Sequence, residues 1–175
     1  TAESTAKPPA TATLSGQGVD MIQEFEGLHQ TVYTNPDDGK EYIGYGHRLN
    51  KDTKKQEMAQ AVSESDTEVV LRSTEEYPPF GEAKLGVSSE WISWTNKTPN
   101  KLLGVTRALQ GTLRQTHKKG VPCTFYGESY ANGITRQQAD ALFDNDIKSS
   151  VEAVRKNIKT PINQNQADAL ISLSH

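Results

Sequence analysis

The chain has one cysteine, Cys123, among its 175 residues, so no internal disulfide framework can staple it. A nucleophilic cysteine would need a paired histidine, and His117, on a Lys-rich turn, is the only one nearby. Apolar runs near the roughly 18 residues of a membrane span are missing too. No signal peptide is visible at Thr1. The four histidines, His29, His47, His117 and His175, lack metal-ligand spacing, so no metal is expected, and chemistry carried by carboxylates alone needs no cofactor. Net charge is -3, which gives no basic face for nonspecific nucleic-acid binding. The apolar share, 34%, is low and allows one compact domain with a modest core.

What is present centres on residues 25–47. Ser15 suits a helix N-cap. Val19, Ile22 and Phe25, with Met21 and Leu28 beside them, are spaced as one buried helical face. Gly27 suits a left-handed C-terminus, which puts Glu26 on the last turn. The run from Asn35 through Pro36, Asp37 and Asp38 to Gly39 is turn chemistry. Its flanking Val, Tyr and Ile residues predict a β-hairpin. Glu26, beside Phe25, Leu28 and Tyr33, would be partly shielded, while Asp37 and Asp38 would stay ionised on a polar turn. Carboxyl groups in unlike environments are how glycosidic cleavage separates a proton donor from a base or nucleophile. The plainer alternative is a solvated helix-end Glu and ordinary turn aspartates.

The segment resembles the active-site region of phage-type lysozymes, the muramidases of phage endolysins and tail-hub lysozyme domains. The matching residues are Glu26-Gly27-Leu28, Tyr33, Gly39 and Ile43-Gly44-Tyr45-Gly46-His47. Two downstream blocks match in the right order, Gly133–Ile147 and Pro161–Ser172. The resemblance covers residues 15–50 and 133–175 and implies an α+β, lysozyme-like fold. That fold would be mainly helical, with a small β-hairpin lobe flanking the active-site cleft. It implies cleavage of the β-1,4 bond between N-acetylmuramic acid and N-acetylglucosamine in bacterial peptidoglycan, with Glu26 as general acid. Asp38, then Asp37, would stabilise charge or position water. Tyr42 would orient water where the family has Thr. Tyr33, His47 and Gln166 would contact substrate or support the hairpin, though a capping or surface role for Gln166 weighs more. The family's hairpin Asp falls on Asn35 when aligned from Tyr33, and Asn is no carboxylate. Three alternatives therefore stay open: a longer-turn Asp has taken over, the chain is a lytic transglycosylase relying on Glu26, or it is a weak or inactive structural or wall-binding module of a phage virion.

The remainder divides simply. Residues 1–14, rich in Thr, Ala and Pro, read as a linker or arm. Residues 53–132 read as a long insertion in the lysozyme-like domain 15–175. Helices are expected over 53–77 and near 99–117, and the Arg48/Lys51/Lys54/Lys55 cluster reads as a solvated helix face. Trp91 and Trp94 would either stack on sugar or anchor the insertion. Thr135 and Gln138 form a capping box for a helix to about Lys156, with Asp140, Asp144 and Asp146 on its solvated side. A last helix opens at Thr160-Pro161, with Ile162, Ala169, Leu170 and Leu173 in its core. The chain stops at His175 inside that helix, so a further C-terminal segment or another virion subunit would cover it. The expected location is the host periplasm or cell wall, or a virion tail.

Overall fold

The computed structural model describes residues 13–87, 89–158 and 161–174. The expectations for residues 1–12, Thr160 and His175 fall outside them. In chain order the elements are α1 (Gly16–Glu26), β1 (His29–Thr34), β2 (Glu41–Gly44), β3 (His47–Arg48) and β4 (Lys54–Glu57). Then come β5 (Val69–Val70), β6 (Gly81–Leu85), β7 (Glu90–Trp94), β8 (Asn96–Thr98) and β9 (Lys101–Leu103). The chain closes with β10 (Thr106–Leu109), β11 (Pro122–Phe125), α2 (Arg136–Asn157) and α3 (Gln164–Ser174). The chain divides into two compact units, residues 1–48 with 130–175, and residues 49–129.

The first unit holds all three described helices and the antiparallel sheet β1-β2-β3. Ser15 caps α1, its side chain accepting from the Gly18 amide. Asp168 of α3 accepts from the Ser15 amide at 2.9 Å and the Ser15 hydroxyl at 2.5 Å. A buried carboxylate thus sits at a helix N-terminus, where the backbone dipole favours it. Thr135 and Gln138 form the expected capping box at the head of α2. Ala139, Leu142, Phe143, Ile147 and Val154 form its buried stripe, and Phe143 meets Tyr45 edge-on at 5.8 Å.

In the second unit the expectation of a mainly helical chain fails: residues 49–129 contain eight strands and no helix among the described residues. Residues 53–77 and 99–117 are strands, bridges and turns. The polar strand β4 exists because β11 pairs with it along four residues, Pro122–Phe125 against Glu57–Lys54. Such cross-strand pairing overrides local helical spacing. The cluster at Lys54 and Lys55 is therefore a strand edge. The main sheet runs β10-β7-β6-β11-β4, and β5-β9-β8 forms a smaller one. Trp94, Tyr77 and Phe125 pack edge-on in a triangle with 5.9–6.0 Å centroid separations. Trp94 is thus a core residue. Cys123 is fully buried there and its thiol is pushed up to about 12 by burial, which keeps it protonated and unreactive.

Sequence reading missed the ionic centre of this unit. Glu90 is wholly buried with Arg107 and His117. Its carboxylate accepts from Arg107 Nε at 2.6 Å and Nη2 at 2.8 Å, and from the Ala108 and Gln115 amides at 3.1 Å. His117 Nε2 lies 3.0 Å away. Arg107 also donates to the Ser63 carbonyl at 2.5 Å and the Gln115 carbonyl at 2.8 Å, so one ion pair ties two loops to two strands. Burial alone would raise the Glu90 carboxyl; the Arg107 and His117 hydrogen bonds, the Gln115 amide and the Arg107 charge outweigh it and hold it down to about 2. A depressed folded pKa contributes stability that is complete above the unfolded value, 4.5, and is lost as pH falls towards 2. Denaturant melts across that window should show the loss. Glu90→Gln should cost roughly 3–5 kcal/mol at neutral pH by stranding Arg107 and should flatten the acid slope. An unchanged slope would contradict this account.

Candidate active site

Glu26 is the last residue of α1, and Gly27 ends the helix at φ 71. Its ψ of 156 is not that of the left-handed C-cap; the backbone leaves extended and enters β1. The helical face differs from its expected one. Only Gly18 and Ile22 are buried in α1, while Phe25 is 87% exposed and Leu28 37%. The two apolar neighbours expected to shield Glu26 do not do so.

The hairpin supplies the shielding instead. Glu26 is half-buried, and its carboxyl lies against Gly46 in the turn between β2 and β3. A Cβ at Gly46 would fall 2.7 Å from Oε2, and Gly46 has φ +75. A side chain there would collide with the carboxyl and strain the backbone. The glycine of the Gly-Tyr-Gly-His run is thus the seat on which Glu26 rests, a role its motif position did not reveal.

Tyr33 links this carboxyl to the hairpin turn. Burial raises its hydroxyl pKa, and the charges of Glu26 and Asp38 raise it further, so both carboxylates lie within electrostatic reach of one phenol. Tyr33 pairs with Tyr42 across β1 and β2, their rings stacked at 5.9 Å. His29 closes on the other edge of Tyr33 at 4.3 Å. The Tyr42 hydroxyl donates to Asp38 Oδ2, and the Lys40 amide donates to Asp38 Oδ1 at 2.8 Å. These bonds and the Lys40 and Arg48 charges lower the pKa of Asp38, against a smaller effect of burial. The same bond raises the Tyr42 hydroxyl. Asn35 Oδ1 accepts from the Asp37 amide at 2.8 Å, so the Asn35 side chain braces the turn.

Gln166 stands apart. Its Oε1 accepts from the Asn163 amide at 2.9 Å, and Asn163 Oδ1 accepts from the Gln166 amide at 2.8 Å, a reciprocal cap on α3. The final helix also turns differently from the expected face: Ala167, Asp168 and Ile171 are buried, Ala169 is exposed and Leu173 is 84% exposed. A groove of about 260 Å³ along α2, lined by Thr13, Ile147, Lys148, Val151, Glu152 and Arg155, contains none of the expected site residues.

Residues 104–175 match the phage lysozyme family. That is fewer than half of the 175 residues, and it makes peptidoglycan the substrate class to which the match points. No curated protein and no solved structure matches the chain.

The matched segment contains α2 and α3, and it holds a partner that sequence reading assigned to solvent. Asp146 of α2 lies 2.9 Å from His47 Nδ1. The pair ties β3 to α2 beside the Gly46 turn, with exposures of 12% and 23%. Contact with both Asp146 oxygens, at 2.9 and 3.1 Å, holds the His47 ring in one orientation. Asp144 remains exposed, its pKa raised by partial burial and by Asp140. Among the described residues no group of three or more His, Cys, Asp or Glu side chains is placed to hold a metal, and no helix is long and apolar enough to cross a membrane.

The Asp38 hold is directly testable. Tyr42→Phe removes the strongest of the bonds that lower its pKa. A carboxyl NMR titration should then show Asp38 moving up towards an ordinary aspartate. No movement would mean that the Tyr42 bond does not form in solution.

Proposed function

We propose that this protein cleaves the β-1,4 bond between N-acetylmuramic acid and N-acetylglucosamine in peptidoglycan, with Glu26 as general acid. The observation that carries this reading is the placement of Glu26: half-buried at a helix exit, set against Gly46 of the hairpin, with Asp38 within reach of the same Tyr33. In this mechanism Glu26 protonates the leaving glycosidic oxygen. Asp38 stays ionised because Tyr42 and the Lys40 amide donate to it, and it stabilises positive charge on the sugar or orients the attacking water. Asp38 is favoured over Asp37 because its side chain is held at both oxygens. Tyr42 acts through Asp38, and Tyr33 and His47 keep the hairpin in register with Glu26. Residues 49–129 are an insert in the lysozyme-like domain. The site of action is the bacterial cell wall, reached by an endolysin or a virion-tail component.

One observation favours a second reading, a catalytically weak wall-binding module. Phe25 and Leu28 are exposed, and an acid catalyst draws its raised pKa from apolar shielding. Turbidity clearing of purified walls separates the two. Glu26→Gln should lose activity by about 100-fold or more, Asp38→Asn should lose activity as well, and Asp37→Asn should change little. Wild-type activity equal to Glu26→Gln would remove the enzymatic reading. Mass spectrometry of the products should find reducing ends; anhydro ends would mark a transglycosylase.

A further inference from the structure

The outward face of the main sheet in the second unit carries an aromatic pair that the core does not use. Successive residues of β7 alternate, with Glu90, Ile92 and Trp94 inward and Trp91 and Ser93 half-exposed. Trp91 meets Tyr126, which follows β11, at 5.7 Å with planes tilted by 46°, and Tyr126 is 53% exposed. The pair spans from β7 to β11, with Lys84 of the intervening β6 in register with both Trp91 and Thr124. Glu82 lies two residues along, in register with Ser93, and accepts from Gln110 Nε2 at 3.2 Å.

The inward aromatics use their polar handles within the protein. Trp94 Nε1 donates to the Pro78 carbonyl at 3.0 Å, and the Tyr77 hydroxyl donates to the Cys123 carbonyl at 2.8 Å. Among the described residues neither the Trp91 indole N–H nor the Tyr126 hydroxyl has such a partner. Rings with an apolar face and a free polar edge suit a ligand with both characters. A pyranose is such a ligand: one face presents C–H bonds for stacking, and its rim presents hydroxyl and acetamido groups. Charges on this face balance, Lys84 and Lys55 against Glu82 and Glu57, so nothing here selects a polyanion.

We propose that Trp91 and Tyr126 form a glycan-binding platform on the inserted unit, holding the sugar backbone of peptidoglycan by ring stacking, with Lys84, Glu82 and Thr124 bonding its rim. This rests on peptidoglycan being the substrate. It does not require the site to be catalytic, because the platform lies wholly within residues 49–129.

The test uses the full chain carrying Glu26→Gln, so that binding is read without cleavage. Retention on purified peptidoglycan sacculi should fall about tenfold or more on adding Tyr126→Ala; this residue lies outside the core, so folding is kept. Trp91→Phe retains a stacking ring and should keep most of the retention. Soluble β-1,4-linked N-acetylglucosamine oligomers should shift the fluorescence of the parent through Trp91, since Trp94 is buried, and the shift should be absent in Trp91→Phe. Unchanged retention in both Tyr126→Ala and Trp91→Ala would overturn the platform. Loss of wall clearing by the wild type would overturn the hydrolase reading alone.

Discussion

At the exit of α1 the Glu26 carboxyl rests on Gly46, where any Cβ would fall 2.7 Å from Oε2. This contact constrains the first unit from both ends. On the helix side, Ser15 and Asp168 fix where α1 begins, and eleven residues of helix then determine where Glu26 emerges. On the hairpin side, the Gly46 turn is fixed by β2 pairing with β3 and by His47 bonded to Asp146 of α2. The buried Asp168 carboxylate and the His47–Asp146 pair are therefore positioning devices, although neither touches Glu26.

The hairpin turn solves a different problem, keeping a carboxylate ionised and still. Asp38 is exposed, so its charge is cheap to maintain; what the turn adds is direction. Tyr42 and the Lys40 amide occupy one oxygen each, and Asn35 braces the loop beneath. Asn35 thus holds the turn while Tyr42 holds Asp38. The stacked Tyr33 joins both halves through its contact with Tyr42 and its electrostatic coupling to both carboxylates.

Much of the first unit was legible in the residues. The Ser15 and Thr135 caps, the α2 stripe and the hairpin all follow from local rules that tertiary structure did not override. The partners were not legible. Asp146 and Asp168 look like solvated helix residues because their partners, His47 and Ser15, stand about 100 or more positions away. Phe25 was misplaced because helical spacing identifies a face and not what covers it. In the second unit the apolar residues repeat at spacings that fit a helix, yet Gly and Pro punctuate them, and long-range pairing such as β11 with β4 decides the outcome. The Glu90–Arg107–His117 centre was invisible for the same reason, its members lying 10 to 27 positions apart with no motif to join them.

The most direct measurement is a crystal structure of Glu26→Gln with a peptidoglycan glycan fragment bound. The account predicts that residue 26 lies within about 2.6–3.2 Å of one bridging glycosidic oxygen, with Asp38 facing the same sugar. A fragment bound away from the hairpin, with residue 26 meeting only solvent, would contradict it.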